Sequence, residues 1–349
     1  MVYSISQADL TRDRAAILGL WRRNFPGSPE HRFAWLYESG QASAWLLHDE
    51  DGVVVGAAGL MPRAIRMPGG LIHAGQAIDL NVDPNHRLLG PAISLARAVV
   101  EGAGQRGYRL VYTFPNPKSA PVLRRAGYRE LAGVQRWVKV LRTDAVLDRL
   151  EHPLTRMAVA AASGAINAAL AVKSREALCR RPANVQTRVT NAFDESFDRF
   201  WQAASQPADL MAERNASYLN WRFGRQPASG FQVFRLENAC GELLAYAVFS
   251  CQDGAAFVSD WGFADRRSLE ILLAEFVRFT RRQKVKLLVT VYVGNALVPS
   301  ALRRFGFWRR ESDWKAMVYA EPERRGSNVP DPLCPDRWYL TRADIDTDF

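Results

Sequence analysis

The sequence predicts a mixed α/β fold built as two tandem units, each a mostly antiparallel sheet with one central strand-helix-strand crossover. Three observations carry this expectation. Apolar patterns in the first part of the chain run strand, helices, three antiparallel strands, helix, strand, helix, strand, which is not the steady alternation of a doubly wound sheet. The second half repeats that order, and Leu123-Arg-Arg-Ala-Gly-Tyr128 matches Leu302-Arg-Arg-Phe-Gly-Phe307 at an offset of 179 residues. A chain of 349 residues is also long enough for two hydrophobic cores.

Taken in order, Val2 to Ser6 reads as a short strand, and Leu10 to Arg23 carries helical periodicity through Leu10, Ile17, Leu18 and Trp21. A second short helix follows Pro29. The apolar runs Ala44–His48 and Val53–Leu60 are split by Asp49-Glu-Asp-Gly52, a hairpin turn ending in glycine. Another strand pair brackets Met67-Pro-Gly-Gly70, its second arm running through Gln76 to Val82. A helix from near Pro91 to near Gly107, a strand Arg109–Phe114 and a helix from about Ser119 to Arg125 complete the unit. The repeat adds further matches. Asn116 to Gly127 and Asn295 to Gly306 share a spacing of 11, Phe33–Tyr37 resembles Leu219–Phe223, and Ile78-Asp-Leu80 resembles Ser259-Asp-Trp261. The expected boundaries are 1–142 and 185–320 for the two units, 143–184 for a helical linker and 321–349 for a tail whose aromatic and aliphatic cluster docks on the body.

Hydrophobic residues at 48% and charged residues at 23% indicate a folded protein. A net charge of +10 favours an anionic partner: nucleic acid, a membrane surface or a phosphorylated cofactor. Cys179, Cys240, Cys251 and Cys334 show no C-x-x-C spacing, so neither a metal site nor a disulfide framework is expected, and a reducing cytoplasm is the simplest compartment. The N-terminal residues lack a secretory pattern. Met157–Val172 is 16 residues long, short of the roughly 20 needed to span a bilayer, and is expected to be an Ala-rich helix between the units. Its basic flanks (Arg149, Arg156, Lys173, Arg175, Arg180, Arg181) keep a helix lying on a membrane surface as the alternative.

The most informative stretch is Ile78 to Arg97, an apolar strand followed by a loop and a helix start. A helix N-terminus has unpaired N–H groups and partial positive charge, so it holds a pyrophosphate without special side chains, and glycine at 90 lets the backbone come close. A plain strand-to-helix turn opened by Pro91 is the other reading of the same residues. In its setting, Arg87-x-x-Gly90-x-Ala92, with Val82 and Pro84 upstream, resembles motif A of the GNAT (GCN5-related N-acetyltransferase) superfamily. Asn116 through Gly127-Tyr128 looks like that family's later motif. The resemblance covers most of the chain, twice, and implies two tandem GNAT-like domains.

It further implies acetyl-CoA as co-substrate and no metal. Leu80, Asn81 and Val82 would meet the pantetheine arm, Arg87, Leu88, Leu89, Gly90, Pro91 and Ala92 the pyrophosphate, and Asn116 the cofactor near the pantetheine. Two residues depart from the pattern. Pro91 supplies no N–H, and the tyrosine often used as general acid is Leu123 here, which leaves Tyr112 or Tyr128 as neighbours in sequence. In the second half Leu269 replaces Gly90, so that unit is expected to take no coenzyme A and to shape the acceptor cleft or serve as a prop.

Acyl transfer to an amine needs a neutral amine, a polarised thioester and an exit for a proton. Asp79 is the candidate base or amine anchor. A strand-end hydrogen bond is its alternative role, and Asp260 at the equivalent place favours that alternative. The oxyanion donor would be a main-chain N–H near Asn81 or Val82. His31, His73 and His86 are weaker candidates. Trp35, Tyr37 and Trp221, with Tyr218 and Arg222, stand where the family places substrate-covering helices, although aromatics at helical spacing are more often core. Asp344, Asp346 and Asp348 would either receive a cationic acceptor or form a solvated acidic end. The expected activity is N-acetyl transfer to a primary amine of a small molecule, amino sugar or peptide. The alternatives are a relative of peptidoglycan aminoacyl transferases using aminoacyl-tRNA, and a non-catalytic binding module. The intact cradle argues against nucleic acid as partner.

Overall fold

The computed structural model describes residues 2–24, 29–39, 41–87, 89–143, 163, 175–203, 208–226, 230–320 and 331–346. The helix expected at Met157–Val172 lies, apart from Ser163, outside the described residues, as do Leu88 and Asp348.

The first unit comprises β1 (Ser4–Gln7), α1 (Arg14–Asn24), α2 (Pro29–Phe33), a π-helical turn Ala34–Glu38, β2 (Ser43–His48), β3 (Val54–Met67) and β4 (Gly70–Val82). A 3-10 turn Pro84–His86 leads into α3 (Leu89–Gln105), β5 (Leu110–Thr113), α4 (Ala120–Arg125), β6 (Arg129–Gly133) and β7 (Gln135–Val140). After α5 (Arg175–Leu178) the same order returns as β8 (Val185–Thr190), α6 (Glu195–Ala203), β9 (Leu210–Ala212), α7 (Ala216–Leu219), a π-helical turn Asn220–Gly224, β10 (Gln232–Asn238), β11 (Leu243–Gln252) and β12 (Ala255–Phe263). It continues with α8 (Arg266–Arg282), β13 (Leu287–Gly294), α9 (Leu297–Arg304), β14 (Trp308–Arg310) and β15 (Lys315–Ala320). Only β9 is extra. The tail adds β16 (Trp338–Leu340) and a 3-10 turn Arg342–Asp344.

Both units pair antiparallel except at one place each, β4 with β5 and β12 with β13, which are parallel because a helix crosses between them. The described strands join into one continuous sheet, with β9 and β16 bridging β3 of the first unit to β13 of the second.

The expected boundaries of 1–142 and 185–320 do not coincide with the pairing, because the units exchange their last strands. β15 lies between β5 and β6 of the first unit, and β7 lies between β13 and β14 of the second. Each exchanged strand is held by burial. Met317 and Val318 of β15 are fully buried, Met317 beside Val111, Leu123 and Tyr128 and Val318 beside Leu110 and Tyr112. In return Trp137 of β7 is fully buried in the second unit's core under the Arg303 guanidinium, while Lys139 donates to the Phe305 carbonyl and pairs with Glu176. A side chain of tryptophan or methionine size contributes roughly 1.5–3 kcal/mol or more when buried, so each unit depends on the other's strand.

Candidate functional site

The first unit's site begins with an irregularity in β4. Ala57 faces Asn81 and Gly59 faces Ile78, so Asp79 and Leu80 together oppose Ala58 alone. This bulge puts Asp79 at φ 54°, a left-handed conformation that aspartate tolerates better than most residues. The Tyr37 hydroxyl donates to Asp79 Oδ2 at 3.1 Å, and Arg32 donates to Oδ1 through Nε at 3.0 Å and through an Nη at 2.6 Å. Tyr37 reaches that far only because position 59 is glycine: a Cβ there would lie 2.2 Å from the tyrosine hydroxyl. Burial, then the neighbouring carboxylate, raises the Tyr37 pKa, so the phenol stays protonated and donates.

The same bulge stands where β4 parts from β5. The two strands pair only at Gly75–Val111 and Gln76–Tyr112, and Thr113 Oγ1 then donates to the Ala77 carbonyl at 2.9 Å. Beyond that point β4 runs on from Ile78 to Val82 paired, among the described residues, with β3 alone, which leaves its main-chain edge on the side of β5 without a described strand partner. Asn81 on this stretch is 5% exposed, and its side-chain nitrogen has no partner among the described residues. Helix α3 follows, with Leu89 as its first residue and Gly90 exposed at its start, where an added Cβ would meet nothing within 4 Å. Arg87 braces the loop, donating to the Val82 carbonyl at 3.0 Å and to Asn24 Oδ1 at 2.8 Å. Pro91 and Ala92 are half-buried, and Ala92 packs on the core beneath α3.

Other residues singled out in the sequence stand elsewhere. Tyr112 is fully buried, its hydroxyl facing Gln76 Oε1 at 3.4 Å and its ring against Phe114 and Trp338, and burial pushes its pKa upward. Asn116 turns its side-chain oxygen to the N–H groups of Lys118 and Ser119, closing the approach to α4. Leu123 is core, and Tyr128 is buried against Tyr319. Trp35 and Trp221 stack on each other with centroids 5.3 Å apart, one from each unit's π-helical turn, so they join the units. His86 sits beside Tyr3, its Nδ1 3.2 Å from the tyrosine hydroxyl.

Residues 10–131 match the family model described as an acetyltransferase (GNAT) domain. Residues 10–131 are a GNAT domain. No curated protein matches the sequence. Among solved structures, a probable N-acyltransferase from Enterococcus faecalis V583 aligns with a TM-score of 0.65 and 10% identity, covering 92% of this chain and 73% of its own. A GCN5-related N-acetyltransferase from Anabaena variabilis gives a TM-score of 0.62 and 11% identity, covering 91% of this chain and 73% of its own. Saccharomyces cerevisiae N-myristoyltransferase with bound myristoyl-CoA gives 0.54 and 10%, covering 100% and 85%. These likenesses are of fold. The chain carries an acyltransferase domain of the GNAT type, and its second half has a GNAT-like layout.

The second GNAT-like unit has its own bulge, where Val248 faces Asp260 and Phe249 faces Val258, leaving Ser259 extra in β12. Its parting strands are treated differently. β12 and β13 pair from Ala255–Leu287 to Val258–Thr290, and the tail strand β16 then pairs with β13 at Val293 and Gly294. The Tyr339 hydroxyl donates to the Trp261 carbonyl, and Thr341 donates to Asp260 Oδ1 at 2.6 Å. Position 294 must be glycine for this docking, since a Cβ would lie 2.1 Å from the Trp338 carbonyl oxygen. Leu269, the counterpart of Gly90, is buried in the core, and Asp265 caps α8 by accepting from the Ser268 N–H at 2.7 Å. A carboxylate already occupies the end of that helix dipole, which disfavours a second anion there.

The tail then runs between the two bulges. Arg214 donates to Asp260 at 2.9 Å and to Asp344 at 2.6 and 3.0 Å, and Arg63 of β3 lies 3.6 Å from Asp344 with its guanidinium 3.7 Å over the Tyr218 ring. This network is fully buried, and its two arginines balance two aspartates. Arg222 donates to the carbonyls of Arg342, Ala343 and Ile345, and the Tyr218 hydroxyl donates to the Ala343 carbonyl at 2.6 Å. So held, Asp346 reaches the first unit: Arg32 donates to its carboxylate at 3.0 Å and to its carbonyl at 2.8 Å.

Sequence reasoning missed Arg32, Arg63 and Arg214. The one available signal was that Arg32 immediately precedes the repeated Phe33–Tyr37 segment. A cavity of about 750 Å³ lined by Pro68, Asp209, Asn295, Cys334 and Arg337 holds none of the predicted site residues.

Proposed function

We propose that the chain is an acetyl-CoA-dependent N-acetyltransferase that acylates a primary amine of a small molecule, amino sugar or peptide. The observation that carries this reading is the main-chain edge of Ile78–Val82, unpaired among the described residues, which includes the bulge bearing Asp79 and runs toward the start of the 17-residue helix α3. Bound acetyl-CoA supplies the acyl group as a thioester. Leu80, Asn81 and Val82 offer main-chain groups to the pantetheine arm, and the orphaned Asn81 amide nitrogen offers a further donor. The first turn of α3 around Gly90 offers N–H groups to the pyrophosphate, less the one that Pro91 lacks. A main-chain N–H of the bulge serves the developing oxyanion.

Asp79 anchors the acceptor amine, held in place by Tyr37 and Arg32. Burial and a raised pKa remove Tyr112 from the role of proton donor in this scheme, and Asn116 serves α4. The second unit takes no coenzyme A, because β16 pairs along β13 and Tyr339 uses the carbonyl of Trp261. It supports the acceptor side instead.

The test is a calorimetric titration of the purified chain with acetyl-CoA, followed by a panel of amines assayed for free thiol release. Saturable binding at a stoichiometry of one supports the reading. Absence of binding, or two equivalent sites, would refute it.

A further inference from the structure

The fork between β4 and β5 is closed at its apex by a side chain. The two strands pair at Gly75–Val111 and Gln76–Tyr112, and the next step, which a ladder would make with main-chain groups, is made by Thr113 Oγ1 on the Ala77 carbonyl at 2.9 Å. Thr113 is the last residue of β5 and is buried. A threonine suits the place: its branched side chain stands well on a strand, and its hydroxyl satisfies a carbonyl that the parting strands leave over.

Below this staple both faces of the sheet are filled. On the face of α3, Val111 shares a core cluster with Leu60, Ala120 and Leu123, and a Cβ at Gly75 would lie 2.4 Å from Leu60 Cδ1 and 3.2 Å from the Tyr108 ring. On the other face Tyr112 and Phe114 are buried in edge-to-face contact, and the Trp338 ring lies tilted against Tyr112. Packing this close admits no run of methylenes unless side chains move. Above the staple, the edge Ile78–Val82 leads toward Gly90 at the start of α3. A cofactor with its pyrophosphate at Gly90 and its pantetheine arm along Val82, Asn81 and Leu80 carries its thioester down that edge, and its acyl group then meets the fork at Ala77 and Thr113.

We propose that Thr113 forms the end wall of the acyl pocket, so that the donor class is a short-chain acyl-CoA, acetyl or propionyl, and longer chains are refused. The proposal rests on the acetyltransferase reading and adds to it the residue that sets the length of the acyl group. In the transfer the amine nitrogen forms a bond to the thioester carbon, the C–S bond breaks with its electron pair leaving on sulfur, and the amine gives up one proton. Those steps are the same for every chain length, so selection among donors has to come from the wall that the acyl carbons touch.

The experiment titrates coenzyme A, acetyl-CoA and hexanoyl-CoA, without acceptor, into the full chain and into Thr113→Ala and Thr113→Ser, by calorimetry. Wild type is expected to bind hexanoyl-CoA about tenfold or more weakly than acetyl-CoA. Thr113→Ala removes the hydroxyl and the methyl, so the gap narrows to about threefold or less, while coenzyme A, which has no acyl chain, binds within about threefold of wild type. Thr113→Ser keeps a hydroxyl for the Ala77 carbonyl and keeps the discrimination. A wild type that binds acetyl-CoA and hexanoyl-CoA alike places the chain elsewhere and overturns the assignment, and this comparison stands even if Thr113→Ala does not fold. The assignment is equally lost if Thr113→Ala preserves the gap, or weakens all three ligands by the same factor as a purely structural staple does. In each of these cases coenzyme A still binds and the acetyltransferase reading survives. Failure of all three ligands to bind wild type removes that reading, and the acyl wall with it.

Discussion

The indole nitrogens of Trp35 and Trp221 each donate to the other residue's main-chain carbonyl, at 3.1 Å in both directions. The two residues occupy matching places in the two π-helical turns, so the contact lies across a local twofold relation between the units. Reciprocal bonds of this kind satisfy two part-buried donors and two acceptors at once, which favours joining the units here over burying apolar surface alone.

From this we expect strong coupling between the pair. Trp35→Ala costs roughly 3–5 kcal/mol as a large-to-small core change, and the double-mutant cycle with Trp221→Ala gives an interaction energy of about 1–3 kcal/mol. Urea denaturation of the four proteins measures it. Strict additivity would show that the rings merely fill space.

Gly90 separates binding from stability. An added Cβ meets nothing within 4 Å, so Gly90→Phe leaves the urea midpoint almost unchanged, while a phenyl group covers the N–H groups at the start of α3. Acetyl-CoA affinity is expected to fall by about 100-fold or more, as for loss of the pyrophosphate contacts. Unaltered affinity in calorimetry would place the pyrophosphate elsewhere.

Gly294 does the opposite. Its φ of 150° and its closeness to Trp338 leave no room for a side chain, so Gly294→Ala is expected to cost about 2–4 kcal/mol and to loosen β16. Hydrogen exchange should rise first at Trp338–Leu340. Acetyl-CoA binding, which uses the first unit, should persist.

The two tail aspartates differ in what they do for stability. Asp344→Asn leaves Arg214 and Arg63 underpaired in a fully buried network and costs about 3–5 kcal/mol. Asp346→Asn removes a carboxylate that burial holds back from ionising against the pull of Arg32. Because the folded carboxyl of Asp346 sits at about 6 against an ordinary 3.8, the folded state binds more protons between those values. Wild-type stability from this group is therefore present below about pH 4 and is lost as pH rises toward 6, by on the order of 2–3 kcal/mol. The Asn variant lacks that loss, so its stability relative to wild type should improve from pH 4 to pH 7. A pH-independent difference would mean that Asp346 is ionised throughout.

Much of the layout was legible because it is local. The Asp49–Gly52 turn predicts the β2–β3 hairpin, and Pro91 with the apolar periodicity after it predicts α3 to within two residues. Asp79 and the Ile78–Val82 strand were legible for the same reason, since a strand followed by a glycine-containing helix start is contiguous in sequence. Three features were not. The exchange of β7 and β15 leaves no trace in either strand, because an apolar strand reads alike whichever sheet receives it. Asn116 and Tyr112 have the right residue types for a site, and only packing shows one capping a turn and the other buried. Arg32 is an ordinary arginine until a residue 314 positions away meets it.

The order of helices and strands, the repeat and the helix start at Gly90 follow from the chain's own periodicity, its glycines and its prolines. The partners of Asp79 and Asp260, the joining of the units through Trp35 and Trp221 and the path of the tail were settled only by the folded structure. Periodicity is a property of neighbouring residues, and charge balance inside a protein is a property of groups that only burial brings within a few ångströms of each other.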